Sequence, residues 1–206
     1  MTALVRRVSG TAAVVLAALC ASACSGTTGG TAEPGPSSSA PADPNVPKVP
    51  APLDVSAYTA KPCETVPSSV LSSLDYTAPG QAHTGSAGDT AAGPYCAWIA
   101  GAAGLSVQVG LLTGNRDRGI GGLAGLYAGK ASGQVGFLAP APDVAGYPAV
   151  YTDLRDRRAS GDCSLDVGIA DDLVFSVSAQ GYQGQQDSCQ AAGTVAAAVV
   201  STLKGA

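Results

Sequence analysis

Few side chains in this sequence could do chemistry. His83 is the only histidine among 206 residues, so a hydrolase with a Ser–His–Asp triad would have to use it as the general base. It lies in a stretch rich in Gly, Ala, Ser and Thr, and no Gly-x-Ser-x-Gly nucleophile motif accompanies it. The sequence therefore favours a non-enzymatic protein without a cofactor, and a cryptic hydrolase that uses His83 is the alternative.

Cysteine is the other reactive residue type. The six cysteines are Cys20, Cys24, Cys63, Cys96, Cys163 and Cys189. The last four are too widely spaced for the Cys-x-x-Cys pattern of a zinc site. An even number of cysteines in an oxidising compartment instead predicts two disulfides, with three possible pairings.

Residues 1–23 have the form of a secretion signal. Arg6 and Arg7 precede an apolar centre at residues 13–19, and small residues follow. The apolar run is shorter than the roughly 20 residues that a membrane-spanning helix needs. The sequence therefore predicts export.

The end of this signal, Ala-Ser-Ala-Cys at residues 21–24, resembles a bacterial lipobox. The resemblance implies that the Cys24 thiol carries lipid, that Cys24 is the first mature residue, and that the protein is anchored at the extracytoplasmic face of the cell membrane. Cleavage after Ala23 without lipidation is the alternative. Residues 24–52 are rich in Pro, Ser and Gly, with Val46 and Val49 as the large apolar side chains before Leu53, so they predict a disordered tether.

Charge narrows the choice of partners. Only 13% of the residues are charged and the formal net charge is −4, becoming more negative once Arg6 and Arg7 are removed. A nucleic-acid-binding protein needs a basic surface, and this composition excludes that class. The expected partners are the membrane, through the lipid, and a small ligand or an envelope protein.

Residues 53–206 predict a single α+β domain, in which an antiparallel sheet is covered by a C-terminal helix and shorter helices. Residues 66–74 predict a short helix, and 77–93 a long loop. Alternating apolar residues predict a hairpin of strands at 95–100 and 105–111, with Cys96 and Trp98 on one face.

The middle of the domain is rich in glycine and proline. Residues 117–131 predict a helix, within which residues 119–124 match Gly-x-Gly-x-x-Ala. The βαβ context of a dinucleotide site is missing, so close packing is the preferred explanation of these glycines. Residues 140–146 predict a loop, 147–151 a strand, and 155–158 a solvated loop of mixed charge with a specific anion site as the alternative.

The last third has the clearest pattern. Residues 163–169 and 173–179 alternate as two antiparallel strands joined at Asp171 and Asp172, which suit a turn better than a cation site. Residues 188–204 predict the closing helix, with Asp187 as its N-cap. Cys163 lies on the apolar face of its strand and Cys189 on the apolar stripe of this helix, so we predict that they pair with each other, which leaves Cys63 to pair with Cys96.

The layout resembles a family of actinobacterial lipoproteins whose domain is known only as one of unknown function. The matching features are the lipobox, the tether, Pro62-Cys63, Cys96-Ala97-Trp98, and the late Cys163 and Cys189. That family implies no activity, so it assigns no functional residue. We therefore expect a non-enzymatic binding or accessory module of the cell envelope, and a sensory or structural ectodomain that acts through a partner protein is an alternative.

Overall fold

The computed structural model describes residues 45–85 and 88–205. The predicted signal segment, the lipidation site Cys24 and most of the predicted tether lie outside these described residues. Within the described part of the chain, no helix combines the length and the apolar content needed to cross a bilayer.

The fold is α+β, as predicted, and is built on one antiparallel sheet of seven strands in the order β1-β2-β3-β7-β6-β5-β4. Two hairpin series, β1 to β3 and β4 to β7, meet where β3 pairs with β7. The strands are β1 Gln81–His83, β2 Tyr95–Ala100, β3 Leu105–Leu111, β4 Phe137–Val144, β5 Tyr147–Asp153, β6 Cys163–Ala170 and β7 Leu173–Gln180.

The main core lies on one face of this sheet. Alternate residues of the central strands, among them Val109, Val167 and Phe175, are fully buried there because each strand turns every second side chain to the same side. The longest helix, α4 (Gln185–Lys204), covers them with a stripe that includes Val195 and Val199. Most of the buried apolar side chains are Ala and Val, so the core is built from small side chains.

The closing helix begins one turn earlier than predicted. Gly184 is the N-cap, and the predicted cap Asp187 lies inside the first turn, where its negative charge suits the helix dipole. The Ser188 hydroxyl donates to the carbonyls of Gly184 and Gln185. The prediction was wrong because an Asp inside the first turn gives nearly the same sequence signal as an Asp at the cap.

The predicted helix over 117–131 begins five residues later, as α3 (Gly122–Ala131), and a separate short helix that was not predicted, α2 (Thr113–Asp117), ends at Asp117. They are separated at Gly119, which has a φ of 72°, a conformation that favours glycine. Gly121 and Gly122 rest against the backbone of the turn between β6 and β7, so a side chain at either would collide with a carbonyl oxygen. Close packing thus explains Gly121 of the Gly-x-Gly-x-x-Ala match, and the positive φ explains Gly119.

Two predicted loops contain strands. The segment 77–93 includes β1, and 140–146 falls largely within β4, which carries Pro140 and Pro142 and has a register irregularity between Ala141 and Val144. Both strands lie at the edges of the sheet. Proline is tolerated in an edge strand because an edge strand has one side without a neighbouring strand, where no N–H donor is needed. The short helix α1 (Ser68–Ser73) lies within the predicted 66–74.

The end of the predicted tether packs on the domain. Val46 contacts a small apolar cluster of Leu123, Val150 and Val174, and the Leu53 amide donates to the Ile169 carbonyl at 2.8 Å. Packing therefore reaches several residues to the N-terminal side of the predicted boundary at residue 53.

Both predicted disulfides are confirmed. Cys63 bonds to Cys96 and joins the short 3-10 helix Pro62–Thr65 to β2. Cys163 bonds to Cys189 and joins β6 to α4. Each bridge therefore fastens a helical segment to the core face of the sheet.

Candidate functional site

The face of the sheet opposite α4 is largely uncovered. Helix α3 packs on one part of it, where Leu123, Val150 and Val174 form the second apolar cluster. Apart from the exposed Ile99, which pairs with Ser106, the remaining positions of the central strands on this face carry small or polar side chains, among them Tyr95, Ala97, Ser106, Gln108, Gly110, Thr152, Ser164, Asp166, Ser176 and Ser178. We call this surface the open face.

The strand register arranges the open face in two rows that run across the strands. One row passes from Tyr95 through Gly110 and Ser176 to Asp166, each paired with the next. The second passes from Ala97 through Gln108 and Ser178 to Ser164, and the Ser164 and Ser178 hydroxyl oxygens lie 3.3 Å apart. Residues separated by many positions in sequence thus form one polar surface.

Asp166 lies beneath this surface. It is only 3% exposed, although it stands on the polar face of β6. The Thr152 hydroxyl donates a hydrogen bond to its carboxyl, and Ser176 also hydrogen-bonds it. Burial raises the pKa of this carboxyl above its ordinary value, and the two hydrogen bonds act in the opposite direction.

Two adjoining depressions follow the rows, and Ser176 lines both. The first, about 200 Å³, lies above Gly110 between Tyr95 and Ser176. The second, about 310 Å³, has Thr152 and Ser164 on its lining, together with Gln134 and Leu154. Together they form a shallow groove, which we call the sheet groove.

The predicted candidate base, His83, is part of an ordered strand and not of a long loop. It lies on β1 directly opposite Tyr95, and the two rings stack with centroids 4.3 Å apart and planes 6° from parallel. The stacked pair stands at the end of the first row. The structure thus places His83 beside the sheet groove.

In the charged segment 155–158, the side chains of Arg157 and Arg158 form ion pairs. The guanidinium of Arg158 forms an ion pair with Asp156 at 2.7 Å and lies over the rings of Phe137 and Tyr151, 4.7 and 4.9 Å from their centroids. Arg157 lies 2.5 Å from Asp162. Arg158 is thus packed and not solvated as predicted, and the pairing of both arginines argues against an anion site.

The other predicted positions have structural roles. Asp171 and Asp172 are exposed in the turn between β6 and β7. Cys63, Cys96, Cys163 and Cys189 are all consumed in disulfides and cannot bind zinc. Among the described residues, no three His, Cys, Asp or Glu side chains are grouped so as to hold a metal ion.

Asp166 is the site residue that the sequence analysis missed. Its signal is an acid in the middle of a strongly apolar strand, between Ser164 and Gly168, in a chain with few charges. The alternation predicts correctly that Asp166 lies on the polar face. Its burial depends on Thr152 and Ser176, which only the strand register brings to it.

The comparisons with known proteins give a family but no activity. A family model described as "Protein of unknown function (DUF3558)" matches residues 19–202. Neither the curated proteins nor the solved structures include a match to this chain.

Proposed function

The chain belongs to the DUF3558 family of proteins of unknown function, and from that starting point we propose that it is a non-enzymatic binding module of the cell envelope. In this proposal Cys24 carries a lipid, the protein stands on the extracytoplasmic face of the cell membrane, and a ligand binds in the sheet groove.

The sequence supports the location. A secretion signal ends in a lipobox-like Ala-Ser-Ala-Cys, and the chain has two disulfides, which form and persist in oxidising compartments. The same features agree with the resemblance to actinobacterial lipoproteins. Lipid on Cys24 would attach the domain to the membrane, and residues 25–44, which are mostly polar, Pro and Gly, would serve as a tether between the lipid and the domain.

The observation that carries the binding proposal is the buried carboxyl beneath the open face. A carboxyl that is removed from water costs free energy unless it is hydrogen-bonded. Asp166 is held by two hydroxyl groups, Thr152 and Ser176, and both line the sheet groove. A fold that needed only stability would be served by an apolar residue there, so we attribute the arrangement to ligand binding.

The exposed apolar side chains favour ligand binding over docking of a partner protein. A continuous exposed apolar patch is a common mark of a surface that docks a partner protein. The large apolar side chains that are most exposed are Ile99, Ile120 and Leu154, and they lie on β2, before α3 and after β5. Because β2 and β5 are four strand positions apart, Ile99 and Leu154 do not form one patch.

The experiment is native mass spectrometry of the full chain, extracted from membranes of a lipoprotein-processing host. We expect a diacylglyceryl mass on the N-terminal Cys24 and a co-purifying ligand. Gly110→Val, which fills the first depression, should remove that ligand, and Cys24→Ala should release the protein from the membrane fraction. A wild-type protein without ligand, or a ligand equally retained by Gly110→Val, would contradict binding in the sheet groove.

A further inference from the structure

We infer that the ligand of the sheet groove is an uncharged glycan chain that lies across the strands. This inference rests on the proposed function, since it names the class of molecule that the same groove takes. It is drawn from the side chains that line the groove, from the geometry of the groove and from the space above Gly110.

The lining of the groove is largely apolar, and most of the hydrogen-bonding groups set in it carry no charge. Its polar lining is mostly hydroxyl and amide: Tyr95, Gln108, Gln134, Thr152, Ser164, Ser176 and Ser178. Asp153 also lines the groove, and its carboxylate lies 3.6 Å from the Arg157 guanidinium. An anionic ligand would be desolvated there without a matching cation on the lining, and a cationic ligand would have to compete with Arg157 for Asp153, so a charge of either sign is costly. A ligand with many hydroxyl groups can instead exchange its hydrogen bonds to water for hydrogen bonds to the lining.

Asp166 fixes the direction of the hydrogen bonds at the centre of the groove. The Thr152 hydroxyl donates its hydrogen bond to the Asp166 carboxyl, so its oxygen lone pairs remain able to accept from a donor in the groove. A Ser176 hydroxyl bound to the carboxyl in the same way would present a second acceptor. Such fixed acceptors suit the O–H donors of a sugar ring.

The groove is shaped for a chain and not for a compact molecule. It runs from β2, through β3, β7 and β6, to β5. At about 4.8 Å between neighbouring strands, these four steps span roughly 19 Å. Both depressions are open to solvent, so a linear ligand can continue beyond the β5 end.

An aromatic wall stands at the β2 end. The Tyr95 ring stacks on His83 and borders the first depression. An aromatic ring that also has a polar group suits a sugar, because one end packs against C–H groups and the other forms hydrogen bonds. The stacking on His83 holds this wall in place before a ligand arrives, which lowers the entropy lost on binding.

Gly110 leaves the space that the ligand would occupy. It lies between Tyr95 and Ser176 in the first row, and a Cβ built there meets only Tyr95 Cβ, at 3.7 Å. That is ordinary van der Waals contact, so packing does not require glycine here. A side chain would instead project into the first depression.

The test uses titration of the full chain with uncharged linear hexasaccharides of glucose, mannose and N-acetylglucosamine, followed by amide NMR in detergent. Hexagalacturonate and the fully deacetylated glucosamine hexamer are the anionic and cationic comparisons. We expect at least one neutral hexamer to shift the amides of Tyr95, Gln108 and Ser176, and to bind at least tenfold more tightly than the charged hexamers.

Two variants and one control test where the glycan binds. Gly110→Val should weaken it at least tenfold while the protein stays folded, because valine suits a strand and a Cβ at this position meets no backbone atom within 4 Å. Ala97→Val is the matched control, since it adds a similar side chain to the open face but does not line either depression. Thr152→Val removes the central hydroxyl at nearly constant shape and should weaken binding by a similar factor.

The outcomes separate this inference from the proposed function. Failure of all three neutral hexamers, preference for a charged hexamer, or equal binding by Gly110→Val would overturn the glycan assignment. If a peptide or lipid co-purifies and depends on Gly110, the glycan assignment is wrong and the binding function stands. If no ligand co-purifies and no hexamer binds, both the glycan assignment and the proposed binding function are wrong.

Discussion

At the scale of single residues, Asp166 has the most unusual environment. Its carboxyl is buried in a layer that otherwise contains hydroxyl, amide and small apolar groups, and two hydroxyl side chains compensate for the lost water. Ionisation is disfavoured in such a place, so the pKa of Asp166 in the folded protein lies above that in the unfolded chain.

This difference makes stability depend on pH. Because the folded state holds its proton more tightly, the contribution of Asp166 is fully present below the pKa of the unfolded chain, near 3.9, and is lost as the pH rises through the raised pKa. We predict that Asp166→Asn, which keeps the shape without ionising, removes this loss. Urea unfolding at a series of pH values from 4 to 8 measures it.

The comparison is the difference between wild type and Asp166→Asn at each pH. Asp156→Asn is the control, since its carboxyl is more exposed and Arg158 lowers its pKa, so it should not reproduce the effect. A difference between wild type and Asp166→Asn that is the same at every pH would show that the Asp166 carboxyl does not ionise differently in the two states.

Residues differ in how well the sequence predicts them. The pairing of Cys163 with Cys189 can be predicted from local alternation, because Cys163 lies on the apolar face of its strand and Cys189 on the apolar stripe of its helix. The environment of Asp166 depends on Thr152 and Ser176, which belong to two other strands. Such contacts follow from strand order and register, and local alternation does not specify either.

At the scale of elements, glycine has opposite roles in two helices. Gly122 begins α3 with a φ of 71° and lies against the carbonyl of Asp171. Gly193 lies in the middle of α4, and a Cβ there would meet nothing within 4 Å. The first glycine is required by packing, and the second only weakens its helix.

We predict opposite effects of alanine at these two positions. Gly193→Ala should stabilise the protein by about 0.5–1 kcal/mol, because alanine loses less backbone entropy in a helix. Gly122→Ala should destabilise it by about 1–3 kcal/mol, through the strained φ and the collision with the turn. Urea unfolding of the wild type and both variants measures the two changes in the free energy of unfolding. Changes of the same sign would contradict this account.

The strands that sequence reasoning missed lie at the edges of the sheet. The strands β2, β3, β6 and β7 were predicted because alternation is clear where one face is deeply buried. The edge strands β1 and β4 have three residues and two prolines, respectively, features that normally indicate a loop. Their pairing with a neighbouring strand decides their structure, and a local pattern does not reveal it.

At the scale of the whole molecule, two covalent links support a core of small side chains. The bridges Cys63–Cys96 and Cys163–Cys189 have sequence separations of 33 and 26 residues. In the chain-entropy account each contributes about 3–4 kcal/mol by restricting the unfolded chain. That is comparable with the net stability of a typical domain, about 5–15 kcal/mol.

We predict that removing either bridge destabilises the protein strongly. The double variants Cys63→Ala with Cys96→Ala, and Cys163→Ala with Cys189→Ala, should each lose about 3–4 kcal/mol. Guanidinium unfolding measures this, and wild type in reductant should lose more than either variant. A reduced wild type that unfolds at the same denaturant concentration as the oxidised protein would show that the bridges do not brace the fold.

The two edge strands of the sheet also determine whether copies of this protein can aggregate by pairing their strands. An exposed strand with free N–H and C=O groups can recruit a strand from a neighbour and begin a growing aggregate. Here one rim is a strand of only three residues, and the other is interrupted by Pro140, Pro142 and a register shift. Neither rim offers a long, regular template, so many copies can be crowded together without polymerising through their sheets.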